Sequence, residues 1–403
     1  MHVTTIVPTH NRAHYLGQSL DSVLGQTRPP DEVIVVDDGS TDDTERVLDG
    51  YRDRVRVITK GNGGKATALN LAIPAASGDL IWIFDDDDVA MADALARHVE
   101  VHMAHPEAGY TYSAGVALQT DADGAERVGE VIPIPDLTRH GVFYNLQRGC
   151  AINQQGTVVR RHCFDAVGPF NEVLQRTQDY DFLLRLARRF DGVRLDAPTF
   201  YFRHHEGPRG GAAARHGATD RTAQFFAYEQ HLWAGILPDL APRELLPARI
   251  PMVPWTPAHA REAAVRRMMI AGRFGLHDAF TEAVAALART SRGVGDLNAR
   301  ERASAWLALA RPEAAAFAGR DAAFLTRVET RLGRAHVPEI AFQILRGAWH
   351  AHRVLAREGR SADARYAARI CRHMLRAGAW RWLPRHALER VAPARGAQRA
   401  GAT

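Results

Sequence analysis

The chain has 403 residues, of which 46% are hydrophobic and 24% charged, a composition typical of globular domains and not of disordered, collagen-like or disulfide-framed chains. The longest apolar runs fall short of the roughly 18 residues that cross a bilayer, and the first residues lack the blocks of a signal peptide. We therefore expect three buried, reduced cysteines and a cytoplasmic protein, either free or associated with the inner face of the membrane.

The first half of the chain alternates short β-branched runs with helical stretches. Strands are predicted at residues 3–7, 33–37, 55–59 and 80–84, and helices at residues 16–24, 44–51, 66–76 and 90–102. This alternation predicts parallel strands joined by crossover helices, a fold in which ligands bind at the carboxyl ends of the strands. The most unusual residues fall at those ends, at 8–12, 37–41, 60–65 and 85–88.

The second half differs in charge and in pattern. Residues 1–220 carry a net charge of −9 and residues 221–403 a net charge of +14, with arginine as the only strong base in the second part. From this contrast we predict a first domain at 1–220, a proline-rich linker or wrap at 221–258, and an arginine-rich α-helical domain at 259–403. Such a basic domain favours an acidic partner, whereas a solvated arginine-rich face is the simpler interpretation.

Near the end of the chain, residues 373–386 read HMLRAGAWRWLPRH. Tryptophans mixed with arginines suit a helix lying in a membrane interface. We favour the alternative, in which the tryptophans are buried and the arginines face solvent. Nucleic-acid binding is not expected, because aromatic residues are few among the basic residues and no known module spacing is present.

Residues 81–90, IWIFDDDDVA, give the strongest indication of a functional site. Four carboxylates at the end of a hydrophobic strand require a compensating cation. Asp85 and Asp87 are spaced to leave the strand on one side, with Asp86 turned the other way. Oxygen ligands of this kind select Mg²⁺, Mn²⁺ or Ca²⁺, and Mg²⁺ is commonly shared with a substrate phosphate. The alternative is an acidic cap on the following helix, a role that suits Asp88.

Two further turns follow predicted strands. In VVDDGSTDDT, a carboxylate of Asp37 or Asp38 can accept hydrogen bonds from a base or a ribose, or can simply form a turn that caps the next helix. In KGNGGKATALN, the glycines around Gly64 allow close backbone approach, and Lys65 at a helix start can contact a phosphate or a base. A plain glycine turn competes with that reading, and the spacing excludes a P-loop.

Residues 178–189 form a predicted helix whose first turn contains Asp179 and Asp181. A carboxylate at a helix N-terminus is stabilised as the anion and can act as a base near neutral pH. For Asp181 the helix dipole alone is a sufficient explanation. Further along, Arg203, His204 and His205 end a predicted strand, where a histidine can bind a metal or a diphosphate, although a surface histidine without function is the competing interpretation.

Six segments in this order, VTTIVPTHNR, VIVVDDGSTDDT, GNGGKATALN, ASGDLIWIFDDDD, VGPFNE and QDYDFLLRLA, resemble the family 2 glycosyltransferases over about residues 1–210. The resemblance implies an α/β fold with a nucleotide-sugar-binding, Rossmann-like mixed sheet of the GT-A type flanked by helices. In this chain an all-α C-terminal region, which the minimal family lacks, would follow. It also implies inversion at the anomeric carbon and a Mn²⁺ or Mg²⁺ cofactor.

The resemblance also assigns roles to individual residues. Asp179 matches the general base and Asp87 the metal ligand, with His205 as a second metal ligand. Gln178, which stands where the family commonly has glutamate, and Asp88 would face the sugar or the acceptor. The nucleotide would lie against Pro8, Thr9, Asn11, Arg12, Asp37, Asp38, Gly64, Lys65, Asp85 and Asp86.

From these assignments we expect an inverting transferase that moves a sugar from a nucleoside-diphosphate sugar to a glycan or lipid-linked acceptor in polysaccharide, cell-envelope or glycoconjugate synthesis. Peripheral membrane contact and a homo-oligomer are further expectations. An inactive nucleotide- or glycan-binding scaffold is an alternative because Gln178 removes a charge beside the base. A sugar nucleotidyltransferase is the other, although PTHNRAHYLG lacks the glycine-rich loop that it needs.

Overall fold

The structure is a computed structural model that describes residues 1–120, 125–138, 140–204, 221–248, 254–291, 296–335 and 337–382. The chain divides into two compact units, residues 1–228 and 229–403. Helix α8, Arg221–Ile236, runs across this division, inside the interval predicted as a linker. None of the described helices is both long and apolar enough to pass through a bilayer.

The first unit contains eleven described strands and seven described helices before α8. The strands are β1 Val3–Thr9, β2 Glu32–Asp37, β3 Arg56–Thr59, β4 Leu80–Ile83, β5 Val89–Ala90, β6 Tyr110–Tyr112, β7 Gly115–Thr120, β8 Glu126–Val131, β9 Thr157–Arg160, β10 Gly192–Arg194 and β11 Phe200–His204. The helices are α1 Ala13–Leu24, α2 Thr44–Asp49, α3 Lys65–Ala75, α4 Ala94–Ala104, α5 Val142–Leu146, α6 Arg161–Val167 and α7 Gln178–Arg189.

Seven of these strands form a mixed sheet in the order β10-β6-β9-β4-β1-β2-β3. β1 pairs in parallel with β2 and β4, and β2 pairs in parallel with β3, so the carboxyl ends of these strands share one edge. β9 runs antiparallel to both neighbours and therefore begins at that same edge. The four predicted strands and the α/β class are confirmed. β1, β2 and β4 are buried on both faces of the sheet, whereas β3 lies at its edge and is partly exposed.

The remaining strands form a smaller sheet in the order β5-β11-β7-β8. In this sheet β11 pairs antiparallel with β5, with Tyr201 opposite Val89. This pairing brings the end of β11 beside the aspartates that separate β4 from β5. The apolar core below them includes Leu20, Trp82, Phe84 and Phe200.

The second unit is helical in its described residues, as predicted for the C-terminal region. Its helices are α9 Pro257–Arg273, α10 His277–Thr290, α11 Ala299–Leu307, α12 Pro312–Arg320, α13 Ala322–Ala335, α14 Pro338–Arg357 and α15 Ser361–Arg376. A short 3₁₀ helix, Ala379–Trp382, follows α15. The preference for buried tryptophans is wrong for Trp380, which is 53% exposed, and residues beyond 382 lie outside the described part of the chain.

The cysteines are all free, as predicted. Cys163 and Cys371 are buried, but Cys150 is exposed, so the expectation of burial is wrong for one of the three. Burial raises the pKa of Cys163 and of Cys371 to about 12, which keeps both as unreactive thiols.

Candidate functional site

A cavity of about 340 Å³ lies at the edge of the large sheet where β1, β2 and β4 end. It collects residues from the loops after these strands, from the start of α3 and from the segment that leads into α7. The predicted site residues that line it are Pro8, Thr9, Asn11, Arg12, Asp38, Gly64, Lys65, Asp85, Asp86, Asp87, Gln178 and Asp179. The aspartates after β4 and the aspartate of α7, although far apart in sequence, therefore face one space.

The aspartate loop after β4 is held from below by hydrogen bonds to its backbone. The Ser19 hydroxyl donates to the carbonyl oxygen of Asp85 at 3.0 Å, and Arg203 Nε donates to the carbonyl oxygen of Asp87 at 2.8 Å. Because the backbone is fixed in this way, the carboxylates of Asp85 and Asp87 are held toward the cavity.

Arg203 is a site residue to which the sequence assigned no role, and it is only 1% exposed. Its guanidinium bonds to Glu126 and to the Gln18 amide oxygen, and lies 4.7 Å over the Tyr15 ring. A buried arginine with this many partners costs much to disturb. It fixes the aspartate loop against the small sheet, a contact that no local sequence signal reveals.

The structure places Asp88 below the cavity and corrects its predicted role as a sugar or acceptor contact. Its side chain is 2% exposed. One carboxylate oxygen accepts from the Gln155 amide at 2.5 Å and the other from the backbone N–H of Arg203 at 2.7 Å. The cap predicted as the alternative is not formed either, because these bonds tie Asp88 to β11 and to the segment before β9.

The cavity concentrates negative charge from neighbouring carboxylates. One oxygen from each of Asp85, Asp87 and Asp88 lies within 4.8 Å of the others. Of these three residues, Asp85 and Asp87 line the cavity, and their carboxylate oxygens are donors of the kind that fits Mg²⁺ or Mn²⁺. Burial and the adjacent Asp87 raise the pKa of Asp86 to about 7, against the lowering effect of Arg12. This rise reflects the cost of holding several carboxylates together without enough positive charge.

Two cations of the chain itself lie against these carboxylates. Lys65 Nζ donates to Asp85, and Arg12 Nη1 lies 3.5 Å from Asp87 Oδ2. Burial lowers the pKa of Lys65, but the charges of Asp85 and Asp179 raise it by more than burial lowers it. The net shift of the pKa is upward, so the ammonium stays charged. Both side chains are thus placed to meet an anionic ligand in the cavity.

The two aspartates after β2 have different roles. Asp37 does not line the cavity, and its carboxylate accepts from the backbone N–H of Ser40 at 2.9 Å. The prediction that it contacts a nucleotide is therefore corrected to the competing turn-forming role. Asp38 does line the cavity, and it accepts from the backbone N–H groups of Gly63 and Gly64 at 2.9 and 2.6 Å and from Lys60 at 2.5 Å.

Two residues that line the cavity have left-handed backbone conformations that non-glycine residues rarely adopt. Asn11 has φ of 54° and Thr177 has φ of 62°, and they are the only such non-glycine residues in the described part of the chain. Backbone strain of this kind costs about 1–3 kcal/mol and persists where the surrounding structure requires it. Thr177 directly precedes α7, so its conformation sets where Gln178 and Asp179 point.

Asp179 lies in the first turn of α7, as predicted, and its Oδ1 accepts from the N–H of Tyr180 at 2.8 Å. Burial raises the pKa of Asp179, and the Lys65 ammonium opposes this rise. A raised pKa makes a carboxylate a better proton acceptor while it remains ionised near neutral pH. Asp181, by contrast, is a structural residue that bonds to Arg185 one turn later, at 2.6 Å.

The amide of Gln178 lines the cavity beside Asp179. Its Oε1 is buried and has no hydrogen-bond partner among the described residues. A buried acceptor without a donor costs free energy unless a ligand supplies one. The Gln178 side chain therefore has unused hydrogen-bonding capacity at the wall of the cavity.

Further parts of the wall were not predicted. Leu174, Gln175 and Arg176 form one side, and Phe202 and Phe225 contribute aromatic rings, with the Arg176 guanidinium 5.1 Å from the centre of the Phe225 ring. Their positions depend on how separate elements pack together, which leaves no local pattern in the sequence. The predicted metal ligand His205 lies outside the described residues.

Comparison with known proteins agrees with the resemblance seen in the sequence. Residues 4–135 match the family model described as Glycosyl transferase family 2. An uncharacterised glycosyltransferase of Rickettsia conorii is 31% identical over 193 residues, which is 46% of this chain and 31% of that protein. The chondroitin synthase of Pasteurella multocida is 28% identical over 188 residues, 46% of this chain and 19% of that protein. The aligned segments thus span less than a third of either relative.

Among solved structures, TarS of S. aureus in complex with UDP-GlcNAc superposes with a TM-score of 0.49 and 18% sequence identity, covering 95% of this chain and 92% of that one.

Proposed function

We propose that the chain is a metal-dependent, inverting glycosyltransferase, a proposal supported by the match of residues 4–135 to the model described as Glycosyl transferase family 2. The donor is a nucleoside-diphosphate sugar, and the acceptor is a hydroxyl of a growing glycan or a lipid-linked sugar. The observation that carries the proposal is that Asp87 and Asp179 line the same cavity. Single displacement needs a leaving-group site on one side of the sugar and a base on the other side.

The donor binds along the edge formed by β1, β2 and α3. The diphosphate lies against Arg12 and Lys65, whose positive groups already lie against aspartates at this edge. The nucleoside lies beside Asp38. Among the described residues its Oδ2 accepts a hydrogen bond from the Gly64 N–H alone, and it retains a lone pair for a base or ribose donor. In this proposal Asp37 does not contact the nucleotide and only stabilises the turn after β2.

Asp87, with Asp85 alongside, would hold the divalent cation, because both carboxylates line the cavity and belong to its acidic cluster. A cation bound there would neutralise the charge of the departing diphosphate and replace a protonated leaving group. Arg203 and Ser19 serve that site indirectly, because they fix the loop that carries the carboxylates.

Transfer proceeds by attack of the acceptor oxygen on the anomeric carbon of the donor. Asp179 accepts the hydroxyl proton as the new carbon–oxygen bond forms. The bond between the anomeric carbon and the diphosphate oxygen breaks, and its electron pair leaves with the nucleoside diphosphate. Since the acceptor enters opposite the leaving group, the configuration at the anomeric carbon inverts. Gln178, which supplies an unused buried acceptor atom, contacts a hydroxyl of the acceptor or of the sugar.

The proposal is tested by supplying nucleoside-diphosphate sugars with Mn²⁺ and following product formation by proton NMR. We expect one base and sugar to be preferred, slow donor hydrolysis without acceptor, and a product anomer opposite in configuration to the donor. A product that keeps the donor configuration would contradict single displacement. The absence of hydrolysis and transfer for every donor, together with tight nucleotide binding, would favour the scaffold alternative.

A further inference from the structure

The outer surface of helices α14 and α15 is strongly basic. The exposed arginines of α14 recur at intervals of seven and four residues, which places them on one helical face, and those of α15 do the same. They are Arg346, Arg353 and Arg357 on α14, and Arg365, Arg372 and Arg376 on α15. We call these six residues the arginine surface.

The two helices present this surface on the same side. α14 and α15 are packed antiparallel, with the His352 ring bonded to the carbonyl oxygen of Ala364 and the Cys371 thiol near that of Leu345. Helix α12 packs against both of them, and their buried residues face inward. The exposed faces of α14 and α15 therefore lie together on the opposite side, over a length of about 30 Å.

Several other arginines of the second unit have acidic partners, whereas those of the arginine surface have none among the described residues. Arg261, Arg300 and Arg302 bond to Glu301, Glu262 and Glu339, respectively. Within the described part of the chain, none of the six arginines of the arginine surface forms an ion pair. Arg346 donates to the amide oxygen of Gln343 and lies 6.0 Å from the centre of the Phe342 ring, and neither partner is charged. The structure thus leaves six positive charges on one surface without internal compensation.

An aromatic side chain lies among them. Trp349 is 44% exposed on α14, between Arg346 and Arg353, and stacks on the His352 ring. Indole rings are favoured at the headgroup level of a bilayer, because they are apolar with one polar N–H. The positive charges lie on two adjacent helices and therefore cover an area instead of forming a single row. This arrangement matches a planar anionic surface, such as a membrane, better than one linear polyanion.

We propose that the arginine surface binds the anionic phospholipid headgroups of a membrane, with Trp349 entering the headgroup layer. No insertion of a helix is required, because the inner faces of α14 and α15 remain in the core of the unit. Binding of this kind is electrostatic, adds up over the arginines near the surface, and weakens with salt. The proposal is independent of the proposed sugar transfer.

The test is flotation of the full chain with phosphatidylcholine vesicles, with and without phosphatidylglycerol. We expect binding only when phosphatidylglycerol is present, with loss at high salt. The triple variant Arg346→Gln, Arg353→Gln, Arg357→Gln should bind about a hundredfold more weakly, from three lost headgroup interactions. Trp349→Ala should bind more weakly while keeping the salt dependence.

A matched control carries the same loss of charge on other helices. Arg289, Arg327 and Arg334 are exposed on α10 and α13, and their replacement by glutamine should leave vesicle binding nearly unchanged. An unaltered thermal unfolding midpoint in each variant shows that the chain is folded. Equal loss in both triple variants, or no binding of the parent chain to phosphatidylglycerol vesicles, would overturn the proposal. Preferential binding of soluble polyphosphate over these vesicles would overturn it as well, in favour of a linear polyanion.

Discussion

Replacement of Asp179 by asparagine should lower kcat/KM for sugar transfer by between about a hundredfold and ten-thousandfold, because the acceptor hydroxyl loses its proton acceptor. Asparagine keeps the shape of the side chain and an oxygen for the Tyr180 N–H, so the start of α7 is retained. Binding of nucleoside diphosphate with Mn²⁺, measured by calorimetry, should change little. Since burial raises the pKa of Asp179, the parent activity should fall on acidification at a higher pH than for an ordinary aspartate, because the base must be ionised.

The neighbouring acid in the same turn provides the control. Asp181→Asn removes the partner of Arg185 and should lower the thermal unfolding midpoint, but it lies away from the cavity and should leave kcat/KM nearly unchanged. Asp179→Asn should therefore lose activity and keep its fold, whereas Asp181→Asn should lose stability and keep its activity. A collapse of nucleotide binding in Asp179→Asn would instead show that Asp179 is a ligand or a structural residue.

Asp87→Asn should weaken Mn²⁺-dependent binding of a nucleoside diphosphate by about a hundredfold or more, since a carboxylate at the centre of the acidic cluster is lost. The measurement is titration calorimetry with Mn²⁺ and again with a chelator. Asp87 is also 3.5 Å from Arg12, so the variant removes one carboxylate that competes with phosphate for that guanidinium. Binding without metal should therefore be unchanged or slightly stronger in the variant.

Asp93→Asn is the matched control for that change. Asp93 lies six residues further along, pairs with Arg97 on the surface, and does not line the cavity. It removes the same charge and should alter nucleotide binding little in either condition. If both variants lose binding equally, the effect is one of overall charge and not of a metal site.

The central strands were predictable because their sequence is extreme. β1, β2 and β4 are runs of apolar residues buried on both faces, and such runs have few other folded states. The small sheet and the antiparallel strand β9 of the large sheet were harder to predict. All six residues of β8 are exposed, and β9 pairs antiparallel with strands far away in sequence, so neither carries the pattern of a buried parallel strand.

The location of the site followed from the rule that parallel strands end at a common edge. This rule brought Arg12, Asp38, Lys65 and Asp87 to one edge, and all four line the cavity. The role of each aspartate did not follow, because adjacent aspartates alternate in direction. Asp37 and Asp88 are drawn away by hydrogen bonds to Ser40, Gln155 and Arg203 that only the folded chain reveals.

The sequence could not predict the geometry around the start of α7, for a different reason. The strained backbone of Thr177 is a local conformation imposed by the surrounding structure, and threonine gives no hint of it. The same holds for Phe202 and Phe225, whose rings reach the cavity from separate elements. The nature of the acceptor depends on this wall, which is why the sequence predicts the class of reaction better than the identity of the substrate.

The most direct test of the account is the position of Mn²⁺ in crystals of the chain grown with Mn²⁺ and its preferred nucleoside diphosphate. Anomalous scattering should place the ion against Asp87, with the diphosphate beside it and Asp179 facing it across the same cavity. Nucleotide bound in that cavity with the ion absent from the aspartate cluster, or with Asp179 on a separate surface, would contradict the mechanism.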